Sequence, residues 1–152
     1  MNSVVKIGCC GFPGGQEKYF KNYRVVELQN TFYDLPSIEW AEKIRGKAPR
    51  GFEFTVKAWQ VITHPSTSPT WRRVKRNKLT GELSNYGYLK PTVENFKALE
   101  MLINITSILQ SKIIVFQTPA SLPFSDESVK WVNEFFKTVT SSWSGYVFGW
   151  EP

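Results

Sequence analysis

The sequence predicts an α/β fold in which about five parallel strands alternate with helices, and three features carry that reading. Short β-rich runs alternate with segments of helical periodicity, the pattern of β/α units. Clusters of glycine and proline punctuate the junctions. Several strand runs end in a polar or charged residue, at the edge where parallel β/α folds gather ligand-binding groups.

Val4 to Gly8 reads as the first strand, closed by a loop signal at Gly11, Pro13, Gly14 and Gly15. A brief helix follows over Gln16 to Asn22, then a second strand over Val25 to Leu28. Ser37 is placed to cap a short helix, with Glu39 in its first turn, Ile38, Ala41 and Ile44 on one face, and Gly46 as its stop. Phe52, Phe54 and Val56 alternate with Glu53, Thr55 and Lys57 in a third strand. Periodicity is then lost, and Pro65, Pro69, Gly81 and Gly87 mark a long irregular insert at about 58–90, of the kind that serves as a lid or stays disordered. Helical spacing returns after Pro91 and Thr92 at Val93, Phe96, Leu99, Leu102 and Ile103 and runs to about Leu109. Ile113 to Gln117 is the fourth strand. Ser125 caps the last helix, whose expected buried face is Val129, Val132, Phe135, Phe136 and Val139, and Tyr146 to Gly149 reads as the fifth strand.

The 152 residues, 41% hydrophobic and 21% charged, suit one ordinary globular domain. Nineteen Lys plus Arg against thirteen Asp plus Glu give a formal charge of +6, which favours an anionic partner without naming one. Met1 to Gly8 spells no signal peptide, and the most apolar stretch, Ala98 to Phe116, is interrupted by Glu100, Asn104, Gln110 and Lys112, so no membrane role and a cytoplasmic location are expected. Cys9 and Cys10 are adjacent and point to opposite faces of an extended segment, which excludes a disulfide framework and suits a reducing compartment.

The strand ends carry recognisable local sequences. Val26-Glu27-Leu28-Gln29-Asn30-Thr31-Phe32-Tyr33, followed by Leu35-Pro36-Ser37, is one. Gly51-Phe52-Glu53-Phe54-Thr55-Val56-Lys57-Ala58 with Ile62-Thr63-His64 is a second, and Val115-Phe116-Gln117-Thr118-Pro119 leading to Phe124 is a third. Ile7-Gly8-Cys9-Cys10-Gly11-Phe12 is a looser glycine-rich opening, and Phe148-Gly149-Trp150-Glu151-Pro152 a Glu-containing close. In order and spacing, over roughly residues 4 to 152, the chain resembles the YecE-like family (domain of unknown function 72). The long basic insert after His64 is similar to an archaeal-type branch. The resemblance implies an incomplete TIM-type (β/α) barrel in a single partial domain spanning 1–152. A closed barrel takes about 250 residues, so about three β/α units are expected to lie outside this sequence. A partner chain or self-association would then complete the wall and cover its open edges.

The strand ends, beside the resemblance, offer Glu27, Lys57, His64 and Glu151 as candidate catalytic residues, with Asn30, Tyr33 and Gln117 and, from the basic insert, Arg72 and Arg73 as candidate ligand-binding residues. Glu27 and Glu151 would form a general acid and base pair, or two structural carboxylates bonded to Lys57 or loop amides. Lys57 would clamp an anion, with a salt bridge as the plainer alternative. His64, the single histidine, rules out a multi-histidine zinc site; a mixed site with Glu27 and Glu151 has no short ligand spacing behind it, and no metal is expected. Asn30 and Gln117 would orient a substrate or hold loops together. No cofactor is named by these residues.

The insert is a separate signal. Lys57, Arg72, Arg73, Lys75, Arg76 and Lys78 match the formal excess of +6, and no acidic residue lies between Phe54 and Gly81. With Trp59, Trp71, Tyr86 and Tyr88 beside them, they would suit phosphate contacts and stacking on bases, although a charged run is more often a solvated loop. The leading expectation is a polar pocket at the strand ends for a phosphate-bearing or nucleic-acid-derived ligand. The rivals are a nucleic-acid-binding module acting through the basic loop and an inactive remnant of a barrel enzyme.

Overall fold

A computed structural model describes residues 4–152. Five parallel strands pair in sequential order, β1 (Cys9–Cys10), β2 (Val25–Leu28), β3 (Glu53–Lys57), β4 (Ile113–Gln117) and β5 (Val147–Glu151). Between them run α1 (Gln16–Asn22), α2 (Asn30–Tyr33), α3 (Ile38–Lys47), α4 (Gln60–Thr63), α5 (Val93–Leu109) and α6 (Asp126–Ser142). The sheet is open, with β1 and β5 as its two edges, an α/β arrangement compatible with an incomplete TIM-type barrel.

Strand alternation sorts the sheet into two unlike faces. Val26, Leu28, Phe54, Val56, Ile114 and Phe116 are 2% exposed or less and pack against the helices. The intervening Val25, Glu27, Thr55, Lys57, Ile113, Val115 and Gln117 are only half-buried. All-parallel sheets are ordinarily covered on both faces, so this second face is the unusual surface of the molecule.

The helices form where their caps and stripes predict. Ser37 Oγ accepts the Trp40 amide at 3.2 Å, Thr92 Oγ1 accepts that of Asn95 at 3.3 Å, and Ser125 and Ser128 make a reciprocal capping box. Phe135 is fully buried, stacked on Phe96 at 5.6 Å and edge-on to Phe116 at 5.4 Å, which locks α6 and α5 onto β4.

Several expectations shift. Val4 to Gly8 forms no strand: the Tyr19 hydroxyl accepts the Cys9 amide at 2.6 Å and donates to Val25 O at 2.9 Å, occupying the carbonyl a longer β1 would use. Gly8 is fitted against Val25 O with no space for a Cβ. Gly46 does not stop α3, which continues to Lys47 and ends ahead of Pro49. Val129 is exposed rather than on the buried face of α6, and β5 extends beyond Gly149 to Glu151.

The aperiodic insert is neither a loose lid nor a featureless loop. After α4 it consists of 3-10 turns at Pro69–Arg73, Arg76–Lys78 and Leu83–Asn85, and it buries Trp59, Val61, Ile62, Trp71, Val74, Tyr86 and Leu89 in the main core. Its end is fixed by three successive amides: those of Gly87, Tyr88 and Leu89 donate to the carbonyls of Val61, Thr63 and Ile62 at 2.8, 2.9 and 3.0 Å. Buried Asn95 grips the same turn, accepting the Gly87 amide at 3.2 Å and donating to Gly87 O and Lys90 O at 3.3 and 3.0 Å. That geometry puts Tyr88 and Leu89 at φ 55° and 54°, a left-handed conformation costing about 1–2 kcal/mol for each non-glycine residue.

Candidate site at the strand ends

Register decides which strand residues share a face. Cys10 pairs with Glu27, Glu27 with Thr55, Lys57 with Val115, and Gln117 with Glu151. Because Thr55 and Lys57, and likewise Val115 and Gln117, are two residues apart, Cys10, Glu27, Lys57, Gln117 and Glu151 all lie on the half-covered face, toward the C-terminal ends of their strands. The side chains rise in steps from β2 to β5.

On β2, Glu27 Oε1 accepts from Gln29 Nε2 and, at 3.7 Å, from Cys10 Sγ. Burial and then the Glu27 carboxylate push the Cys10 thiol up, which keeps it protonated and donating. Glu27 therefore bonds to the side-chain amide of Gln29 in the loop after β2 and not to Lys57. Nor are Glu27 and Glu151 neighbours. β3 and β4 stand between their strands, so three spacings of about 4.8 Å separate them along the sheet. Glu151 accepts from Gln117 Nε2 at 3.2 Å, a bond between β4 and the edge strand β5.

Lys57 ends β3. Its carbonyl accepts the Thr31 hydroxyl at 2.7 Å, and its ammonium lies 5.2 Å from the centroid of the Phe32 ring. It makes no ion pair with a carboxylate among the described residues. Phe32 also meets the ring of His64 edge-on at 5.0 Å, so one aromatic contacts both the ammonium and the imidazole. His64 follows α4 and its Nδ1 is 2.9 Å from Thr63 Oγ1. Burial, and secondly the Lys57 charge, lower its pKa from 6.5 to about 4, so it is neutral at pH 7. Its backbone is held by the Trp71 indole, which donates to His64 O at 3.0 Å.

Asn30 and Tyr33 occupy α2 above the end of β2, both exposed, with the Arg73 guanidinium 4.3 Å from the Tyr33 ring centroid. Arg72 turns back on its own segment, donating through Nε to Pro69 O at 3.3 Å. The basic run is partly neutralised, since Lys78 is bound to Asp34 Oδ2 at 2.7 Å and Leu35 O at 2.6 Å. Of the four aromatics assigned to base stacking, Trp59, Trp71 and Tyr86 are buried and have no free face, which leaves Tyr88. Trp40, Trp131 and Trp143, expected as packing residues, are half-buried. Among the described residues no group of three or more His, Cys, Asp or Glu side chains is placed to hold a metal ion. No helix among them is long and apolar enough to cross a membrane.

Sequence reasoning passed over Cys10, Gln29, Thr31 and Phe32 as members of this site. Strand parity, which puts Cys10 on the same face as Glu27, was the available signal for the first; the contacts of the others depend on the tight fold of α2.

A family model described as "Protein of unknown function DUF72" matches residues 16–147. Among solved structures, a DUF72 family protein from Enterococcus faecalis V583 superposes with a TM-score of 0.65 and 13% identity, over 98% of this chain and 51% of that one. The chain thus spans about half the length of that protein, and at such identity the likeness concerns the fold. No curated protein matches.

Proposed function

The chain belongs to the family described as protein of unknown function DUF72, and from that premise we propose that its strand-end rim binds a phosphate-bearing or nucleic-acid-derived ligand. The observation behind this reading is Lys57, an ammonium on the open face with no carboxylate partner among the described residues, set near a histidine that its own charge helps keep neutral. A phosphate there would gain a charge-assisted bond from Lys57 and one from His64, and the dianion would draw a proton onto the imidazole. Gln117 and Asn30 would orient the ligand, Tyr33 and Arg73 would flank it, and Arg72 would add only long-range attraction. In any turnover Glu27 and Glu151 would supply the general acid and base.

The family reading extends to the YecE-like, archaeal-type branch on the strength of the long basic insert. A cytoplasmic setting agrees with Cys9 and Cys10 as free thiols. Both sheet edges are open and Val147 and Trp150 on β5 are exposed, which supports completion of the wall by further β/α units from another chain or a second copy. The nucleic-acid module reading is weaker, having lost three of its four stacking surfaces.

The test uses His64 as a reporter, its resonance being unambiguous because it is the single histidine. Titration with inorganic phosphate should raise the His64 midpoint in the native chain and leave Lys57→Ala unmoved. Equal responses in the two proteins, or none in either, would remove the pocket.

A further inference from the structure

Tyr88 occupies a left-handed backbone conformation that its side chain makes worse and that its contacts at the surface offset little. The turn itself has a structural reason, since the amides of Gly87, Tyr88 and Leu89 close the end of α4. Gly87 is required there, because a Cβ would collide with the His64 carbonyl. Leu89, equally left-handed, recovers its strain by complete burial. Tyr88 does not: it is half-exposed, and its hydroxyl meets only Ser121 Oγ, itself exposed, at 3.3 Å. Glycine or asparagine would hold the same φ of 55° at lower cost. A strained, accessible aromatic in a turn rigidly fixed by its neighbours is the pattern found where strain serves a ligand contact.

Its position agrees. The Tyr88 amide is bonded to Thr63 O, next to His64, and the hydroxyl reaches the loop that follows β4, so the residue bridges the rim between the ends of β3 and β4. The Lys90 ammonium, anchored on Ser84 O at 2.7 Å, stands 6.0 Å from the ring centroid. We infer that Tyr88 is the stacking wall of the rim site and that the ligand therefore carries a planar ring beside its phosphate, as a nucleotide does. This rests on the reading of Lys57 as the phosphate clamp and narrows it: sugar phosphates and inorganic phosphate would use the phosphate clamp without Tyr88, while a nucleotide uses both.

Calorimetric titrations with AMP and with ribose 5-phosphate, on the native chain and on Tyr88→Gly, Tyr88→Phe and Lys57→Ala, separate the two claims. The native chain should bind AMP at least tenfold more tightly than ribose 5-phosphate. Tyr88→Gly should lose that advantage while melting no lower than the native chain, ribose 5-phosphate binding should stay as it was, and Tyr88→Phe should restore the preference. Lys57→Ala should weaken both ligands. If ribose 5-phosphate binds through Lys57 but AMP gains nothing over it, or the gain survives Tyr88→Gly, the stacking role is wrong and the phosphate site stands. If neither ligand binds the native chain, both are wrong.

Discussion

Replacing Lys57 with alanine tests the electrostatics of the rim without any ligand. His64 is lowered from 6.5 to about 4, with burial the larger cause and the Lys57 charge the smaller. The whole interval corresponds to at most about 3.4 kcal/mol between the two protonation states, and less once solvent screens this half-buried ring. As the second of two causes, Lys57 accounts for under half, below about 1.7 kcal/mol. In Lys57→Ala the His64 midpoint should therefore move up yet remain closer to 4 than to 6.5, because the burial persists. Proton NMR of the imidazole Hε1 against pH reads this directly. A native midpoint at or above 6.5, or a midpoint that the substitution leaves in place, would refute the arrangement of ammonium, Phe32 and imidazole from which the site is built.

The same histidine ties stability to acidity: between pH 6.5 and about 4 the unfolded chain takes up a proton that the folded chain refuses, so stability falls as pH falls through that window, by about 1–2 kcal/mol after screening. Urea midpoints at pH 7 and pH 4.5 should diverge for the native chain and converge for His64→Gln; parallel behaviour would count against it. Phe135→Ala removes a fully buried ring that touches Phe96, Phe116 and Phe136, and should cost about 3–5 kcal/mol in equilibrium denaturation, against less than 1 if α6 were loosely docked. Asn95→Ala strips three bonds from the Gly87 to Lys90 turn, a loss of about 2–3 kcal/mol. Limited proteolysis should then cut first within residues 64–90, and a native-like digestion pattern would show that the turn is held by something else.

The alternating order of strands and helices was legible because each element carries its own period and cap: Ser37, Thr92 and Ser125 announce α3, α5 and α6, and Phe54 and Val56 announce β3. The first strand was misplaced because its limit is set by a distant tyrosine hydroxyl, a tertiary contact without local signature. The insert misled for a related reason. Its burial depends on scattered Trp71, Tyr86 and Leu89 meeting α4 and α5, which no periodicity records. At the site, parity was enough to gather Glu27, Lys57, Gln117 and Glu151 on one face. Strand order was less legible there, and it sets β3 and β4 between Glu27 and Glu151.

The buried underside of the insert bears on how fast a ligand comes and goes. A segment pinned by Trp71, Tyr86 and Leu89 cannot swing as a gate. Exchange at the rim should be governed by diffusive encounter, with the +6 charge hastening anions at low salt, and stopped-flow traces should show one concentration-dependent phase without a slow opening step.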